Sequence, residues 1–215
     1  MRPKAILFDF DGTLADTLPV CFYSFQKVFG KYDNRTLSHE EIIQMFGPSE
    51  VGIIQQNLAC KDLISEAIED YYLFYEQEHE TLVSTNEDIN GLLALTRSMG
   101  IRTGVVTGKA RRSYERSVMH LFAHHGFDVS VTGDDVAVPK PDPEGIRKAL
   151  YALECSPQEA LFVGDSNADI EAGKRANVRT VGVNRLGHSH GRDFLIKPDY
   201  EFSRVSEFIH VLLNH

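Results

Sequence analysis

Asp9 and Asp11 stand two residues apart at the end of the short apolar run Ala5 to Phe8, and Gly12 follows at once. In extended backbone, side chains two apart leave the same face, so both carboxylates start in one small volume. Gly12 then allows the chain a tight exit from the strand. Two like charges so placed need a cation between them, or one of them must hold a proton. Either outcome is chemically useful. The plain alternative is an Asp-Gly turn with solvated acids, but both acids follow a buried-strand pattern that gives unpaired charge no ready home.

Three further stretches carry residues of the same kind. Thr107-Gly108-Lys109 follows an apolar run and offers a hydroxyl and glycine-flanked amides that could hold phosphate oxygens at the start of a helix. In Val138-Pro139-Lys140-Pro141-Asp142-Pro143 the prolines on either side fix the backbone that carries Lys140. Gly164-Asp165-Ser166-Asn167-Ala168-Asp169 sets one carboxylate at a strand end and another in the first helical turn. Each has a plain reading too: a loop, a surface lysine, and a helix cap that needs Asp165 or Ser166 but not the second acid.

The elements that must position these residues follow from periodicity. From about Ile89 onward helices and strands alternate: helix 91–99, strand 101–107, helix 110–124, strand 129–131, helix 143–153, strand 160–163, helix 168–176, strand 180–183 and helix 205–213. With the strand at Ala5 to Phe8, this is an α/β fold with a doubly wound parallel sheet, in which ligands sit beyond the carboxyl ends of the strands. All four chemical stretches lie at or just beyond such ends. Between Asp16 and Asn86 the pattern is wholly helical. Pro19 sits in the first turn of a helix with Phe22, Phe25 and Phe29 on one face. Ser38-His39-Glu40-Glu41 reads as a capping box, and Gly47-Pro48 is a helix stop. The segment carries 12 acidic and 4 basic residues, a net −8, and so reads as a separate lobe. The expected division is residues 1–15 and 85–215 for the α/β core and 16–84 for a helical cap.

Composition narrows the classes. A chain of 215 residues with 42% hydrophobic content can bury an ordinary core. A net charge of −9 argues against a nucleic-acid partner. No apolar run approaches 18 residues and Asp9 comes too early for a signal peptide, so neither a membrane nor an export route is expected and the cytoplasm is the default. Cys21, Cys60 and Cys155 are odd in number and widely spaced, which fits reduced thiols. A glycine-flanked loop accounts for His188 and His190 better than a metal site does, and His124 and His125 are expected to close a helix. Tyr71, Tyr72, Phe74 and Tyr75 read as packing within the helical lobe.

Taken together and in this order, Asp9-Phe10-Asp11-Gly12-Thr13-Leu14, Thr107, Lys140, and Gly164-Asp165 with Asp169 resemble the four motifs of the haloacid dehalogenase superfamily of phosphatases. Asp16-Thr17, Gly133-Asp134-Asp135, Lys140 to Gly145 and Asp169 to Gly173 resemble the phosphoglycolate phosphatase branch, which implies a helical cap inserted after the first strand. Asn177 stands where that branch usually has glycine, and asparagine tolerates the same left-handed cap. The resemblance implies that Asp9 is the nucleophile forming an aspartyl-phosphate and that Asp11 is the acid and base. It implies that Lys140 steadies Asp9, and that Thr107 and Gly108 orient the phosphoryl oxygens. Asp9, Asp165, the Asp11 carbonyl and, through water or at one remove, Asp169 would hold Mg2+, a hard ion suited to oxygen ligands. Lys109, Gly47, Pro48 and Ser49 are the further substrate-contacting candidates.

The expected activity is Mg-dependent hydrolysis of a small phosphomonoester resembling phosphoglycolate, by a monomer or dimer. Inorganic pyrophosphate and sugar phosphates are alternative substrates. A phosphomutase of the same branch would carry a histidine where this chain has Cys21. A dehalogenase would lack an acid at Asp11. A signalling receiver, which shares an acceptor aspartate, Mg2+, a threonine and a lysine, would hold the phosphate rather than release it.

Overall fold

The computed structural model describes residues 3–183 and 194–214; His188 and His190 lie outside them. Six parallel strands, β1 (Ala5–Phe8), β2 (Arg102–Val106), β3 (Val129–Val131), β4 (Ala160–Gly164), β5 (Arg179–Val183) and β6 (Tyr200–Phe202), form one sheet in the order β3-β2-β1-β4-β5-β6. The chain therefore builds outward from β1 to one edge, then returns to the other side through β4. That reversal places the ends of β1 and β4 side by side, with Phe8 level with Val163 and, on the other flank, with Val105.

Every side chain of β1 is buried, because both faces of the sheet are covered. Ile6 and Phe8 point to one face and Ala5 and Leu7 to the other, in the two-residue alternation of a strand. On the Leu7 face lie α7 (Glu144–Ala152) and α8 (Asn167–Arg175), contributing Ile146, Ala149 and Ala172. On the Phe8 face lie α5 (Glu87–Ser98), α6 (Arg111–Leu121) and α9 (Val205–Asn214).

Between β1 and α5 the chain is all helical: α1 (Leu18–Asp33), α2 (His39–Gln44), α3 (Glu50–Asn57), a short 3-10 turn, and α4 (Ile64–Leu82). In α1, Phe22, Phe25 and Phe29 recur at helical spacing and are buried; Phe25 meets Tyr71 of α4 with ring centroids 4.7 Å apart. The capping box at Ser38 forms as expected: its hydroxyl accepts from the Glu41 amide and the Glu41 carboxylate accepts from the Ser38 amide. The helical insert and the Phe8 face of the sheet share one continuous hydrophobic cluster.

Several elements depart from expectation. Helix α5 starts four residues before Gly91, because Asn86 caps it by accepting from the amides of Asp88 and Ile89. Helix α6 ends at Leu121, so His124 and His125 lie beyond it and close no helix. Strand β6 was not expected. Its three residues carry no apolar run and hold their place by parallel pairing of Tyr200 with Val181 and Phe202 with Val183. Asn177 takes a positive φ of 58° after α8, the left-handed turn expected there. Among the described residues no helix is long and apolar enough to cross a membrane.

The packing on the Leu7 face is tight enough that a Cβ built on Gly104 would fall 2.7 Å from Leu7 Cδ2 and 2.7 Å from Val129 Cγ1. Leu7→Ala removes three carbons from a site that cannot collapse around the loss. It should lower unfolding stability by about 2–5 kcal/mol, read from the denaturant midpoint.

Candidate active site

Beyond the carboxyl ends of β1, β2 and β4 a cavity of about 430 Å³ opens between the sheet and the helical insert. Its floor is built from strand ends. The Asp9 amide donates to the Val163 carbonyl at 2.8 Å, continuing the β1–β4 ladder by one residue and fixing the backbone from which Asp9 projects. Gly12 follows with φ at 89°, a conformation that suits glycine, and its amide donates to the Ala15 carbonyl.

Asp9, Asp165 and Asp169 are all buried, and each offers a carboxylate oxygen within 4.8 Å of the others. Lys140 answers part of this charge. Its Nζ lies 2.5 Å from Asp9 Oδ1 and 2.6 Å from Asp169 Oδ1, and also donates to the Val106 carbonyl at 3.2 Å. Burial pushes the Asp9 carboxyl well above the usual carboxylate range. Lys140 opposes that shift and the neighbouring Asp169 and Asp165 add to it. Burial alone would lower Lys140, but Asp169 and Asp9 outweigh it and hold its ammonium charged.

Asp169 serves two purposes with two oxygens. Oδ1 takes Lys140, while Oδ2 accepts from the Ser166 amide at 3.0 Å and from the Ser166 hydroxyl, whose Oγ accepts from the Asp169 amide. The capping reading of this stretch therefore needs the second acid after all: Ser166 and Asp169 together cap α8. Asp165 is held from the other side by the Thr13 hydroxyl at 3.0 Å. Gly164 is required here by close approach, since a Cβ would stand 2.4 Å from Asp169 Cβ.

Asp11 lies at the mouth of the floor and its Oδ1 accepts from the Thr17 hydroxyl and, at 3.0 Å, from Lys109 Nζ. Thr107 is anchored by its amide to Val131, and its hydroxyl accepts from the Lys109 amide at 3.1 Å. Gly108 lines the cavity beside it, close to Gly133, where a Cβ would stand 2.4 Å from the Gly108 carbonyl oxygen.

The roof comes from the insert. Leu18, Cys21, Phe25, Ile43, Phe46 and Ile53 supply apolar wall, with Gly47 and Pro48 between them. Ser49 does different work: its hydroxyl caps α3, 3.5 Å from the Gly52 amide. Lys109 lines the cavity, but its ammonium is buried against carboxylates rather than open to a ligand. Sequence reasoning missed Glu50. It reads as an ordinary acid in the first turn of α3, yet its carboxylate is buried and accepts at 2.5 Å from both the Ala110 amide and the Ser113 hydroxyl of the core. Tyr75, one of the aromatic run on α4, packs its ring 4.8 Å from Lys109 Nζ.

Three buried carboxylates with oxygen donors only, facing one lysine, fit a small hard divalent cation such as Mg2+. Residues 6–183 match the haloacid dehalogenase-like hydrolase family. The chain is 34% identical over 214 residues to the pyrophosphatase PpaX of Bacillus mycoides, covering 99% of this chain and 98% of that one. Among solved structures, CbbY from Rhodobacter sphaeroides in complex with phosphate superposes with a TM-score of 0.83 at 25% identity, over 96% of both chains. A predicted phosphoglycolate phosphatase from Haemophilus somnus shares the fold, with a TM-score of 0.84 at 21% identity over 98% of both chains. A core of parallel strands, two acids at the end of β1, a lysine bridging Asp9 to Asp169 of α8, and a family match over residues 6–183 converge: the chain belongs to the haloacid dehalogenase-like hydrolases.

Proposed function

We propose that the protein hydrolyses a small phosphomonoester by transferring its phosphoryl group to Asp9 and then to water, with Mg2+ as cofactor. The single observation that carries the reading is Lys140 bridging Asp9 and Asp169 on the floor of a cavity that Asp11 also lines. The division into a core of residues 1–15 and 85–215 and a cap of residues 16–84 belongs to the same proposal, supported by the helical run from α1 to α4 above the strand ends.

A carboxylate approaching a phosphate brings like charges together, at a cost of about 4 kcal/mol per unit pair at 4 Å and an effective dielectric near 20. Asp9, Asp165, Asp169 and the Asp11 carbonyl are the groups that would hold the ion. Bound there, Mg2+ would offset charge on the phosphoryl oxygens. The residues of the chain account for the rest. Lys140 holds Asp9 in place and faces the same oxygens. The Asp9 oxygen attacks phosphorus while the leaving oxygen departs, and Asp11 gives that oxygen a proton. Asp11, then a base, takes a proton from the water that releases phosphate from Asp9. Thr107 and the Gly108 amide sit where they can orient the phosphoryl oxygens, the positioning on which phosphoryl transfer depends.

The cavity volume suits a compact ligand, and both phosphoglycolate, suggested by the sequence motifs, and inorganic pyrophosphate, named for the Bacillus relative, are compact. A panel of phosphometabolites with Mg2+, ranked by kcat/KM, tests the class. Preference for a phosphoprotein or a polynucleotide would overturn it. A stable phosphoprotein with no turnover would favour a receiver.

Asp9→Asn should abolish turnover while leaving the fold intact, since the amide keeps the shape but is no nucleophile; unchanged phosphate release in that variant would reject the mechanism. Asp11→Asn should lower turnover of an ester with a poor leaving group by about 10²-fold to 10⁴-fold. Gly164→Ala should push Asp169 out of place and weaken Mg2+ binding by about 10-fold to 100-fold in a calorimetric titration. Wild-type affinity would mean that Asp169 does not support the ion.

A further inference from the structure

Lys109 is a buried cation of the site, and its surroundings differ from those of the partly exposed Lys140. Its side chain is 1% exposed. Asp11 Oδ1 lies 3.0 Å from its Nζ, Cys21 Sγ 3.4 Å, Glu50 Oε1 3.5 Å and the Tyr75 ring centroid 4.8 Å. Those four partners surround the ammonium, although Lys109 also lines the cavity. Only Asp11 belongs to the floor; Cys21, Glu50 and Tyr75 all come from the helical insert.

We propose that Lys109 is a positioning residue for Asp11, and that Glu50 of the insert holds Lys109 in register while the insert is docked on the sheet. The inference rests on the phosphatase reading above. Among the described residues, the side-chain donors that reach Asp11, Lys109 Nζ and Thr17 Oγ1, fall on the same oxygen, Oδ1. The pair fixes the carboxyl through Oδ1 and leaves Oδ2 to pass a proton to the leaving oxygen. As the P–O bond breaks, the leaving oxygen keeps the electron pair and takes that proton, and Asp11 becomes a carboxylate.

Glu50 reaches this arrangement from the other lobe. Its two oxygens are fixed by the Ala110 amide and the Ser113 hydroxyl, both at the start of α6. Withdrawing the insert would remove Glu50, Cys21 and Tyr75 from Lys109 together. The ammonium would then be free to turn away from Oδ1. Acid help is thus assembled only over an enclosed substrate, which protects the site from idle reaction with water.

The test uses the dependence on leaving group. An alkyl phosphate needs its departing oxygen protonated, whereas para-nitrophenyl phosphate releases a stable phenolate and needs far less help. With Mg2+ present, kcat/KM is measured on both for wild type, Lys109→Met, Glu50→Gln, Asp11→Asn and Lys109→Met in the Asp11→Asn background. Lys109→Met should cost about 10²-fold or more on the alkyl ester and less than about tenfold on the aryl one. It should cost little further on the alkyl ester once Asp11 is asparagine, because groups that act as a unit are not additive. Glu50→Gln should show the same selectivity at smaller size, and it carries the test if Lys109→Met fails to fold.

Equal losses on both esters, or a full additional loss in the Asp11→Asn background, would overturn the positioning role. A loss from Glu50→Gln that ignores the leaving group would remove Glu50 from it. Failure of the phosphatase reading looks different: the wild-type protein would then hydrolyse neither ester, or Asp11→Asn would leave the alkyl ester's turnover untouched.

Discussion

The structure depends on how negative charge is held in a dry place. Asp9 and Asp165 are buried at the ends of two adjacent strands and Asp169 in the first turn of α8, and their mutual repulsion in that setting is costly unless a cation or a proton answers it. Lys140 supplies part of the answer by taking one oxygen from Asp9 and one from Asp169. It thereby ties the end of β1 to the start of α8, with β4 between. A divalent ion held there would offset more of the charge, so the proposed cofactor would answer the same imbalance that Lys140 answers in part. The sheet order makes this possible. Because β1 lies between β2 and β4, residues from all three strand ends meet over one spot.

Most of that floor was legible in the sequence. Asp9, Asp11, Thr107, Lys140, Asp165 and Asp169 each sit within a few residues of an apolar run or a proline pair, so local pattern alone indicates where their side chains emerge. The capping box that joins Ser166 to Asp169 was visible only in part, because a cap reading needs one acceptor and the sequence does not say which oxygen goes where. Glu50 was not legible at all. It follows Ser49 at the start of a short helix, where an acid is common for its interaction with the helix dipole. Its partners, Ala110 and Ser113, are some 60 residues away on another element. Strand β6 escaped for a related reason: its place is set by pairing with β5 rather than by its own composition.

The helical insert shows why local pattern and assembly diverge. Its aromatic helices, α1 and α4, share one hydrophobic cluster with the sheet face beneath, so it packs on the core as well as within itself. Yet its contribution to the cavity is mostly apolar wall, and its polar contact with the floor passes through a few buried groups. A wall of Leu18, Phe25, Ile43 and Ile53 offers apolar surface beside the charged floor, where a lower local polarity strengthens charge interactions. It offers no donor to a phosphate, which in the proposed mechanism is met by Thr107, Gly108 and Lys140.

The two lysines of the site therefore differ in the company they keep. Lys140 faces Asp9 and Asp169, and among the described residues its partners belong to the core. Lys109 faces Asp11, and its other side-chain partners among the described residues, Cys21, Glu50 and Tyr75, belong to the insert. In the proposed mechanism the nucleophile and the ion site would therefore rest on the core alone. The proposed acid assistance would depend on the insert as well. A fold arranged in this way can keep one phosphoryl-transfer floor while the insert changes, because substitutions in the wall alter which leaving group is enclosed without touching Asp9 or Lys140.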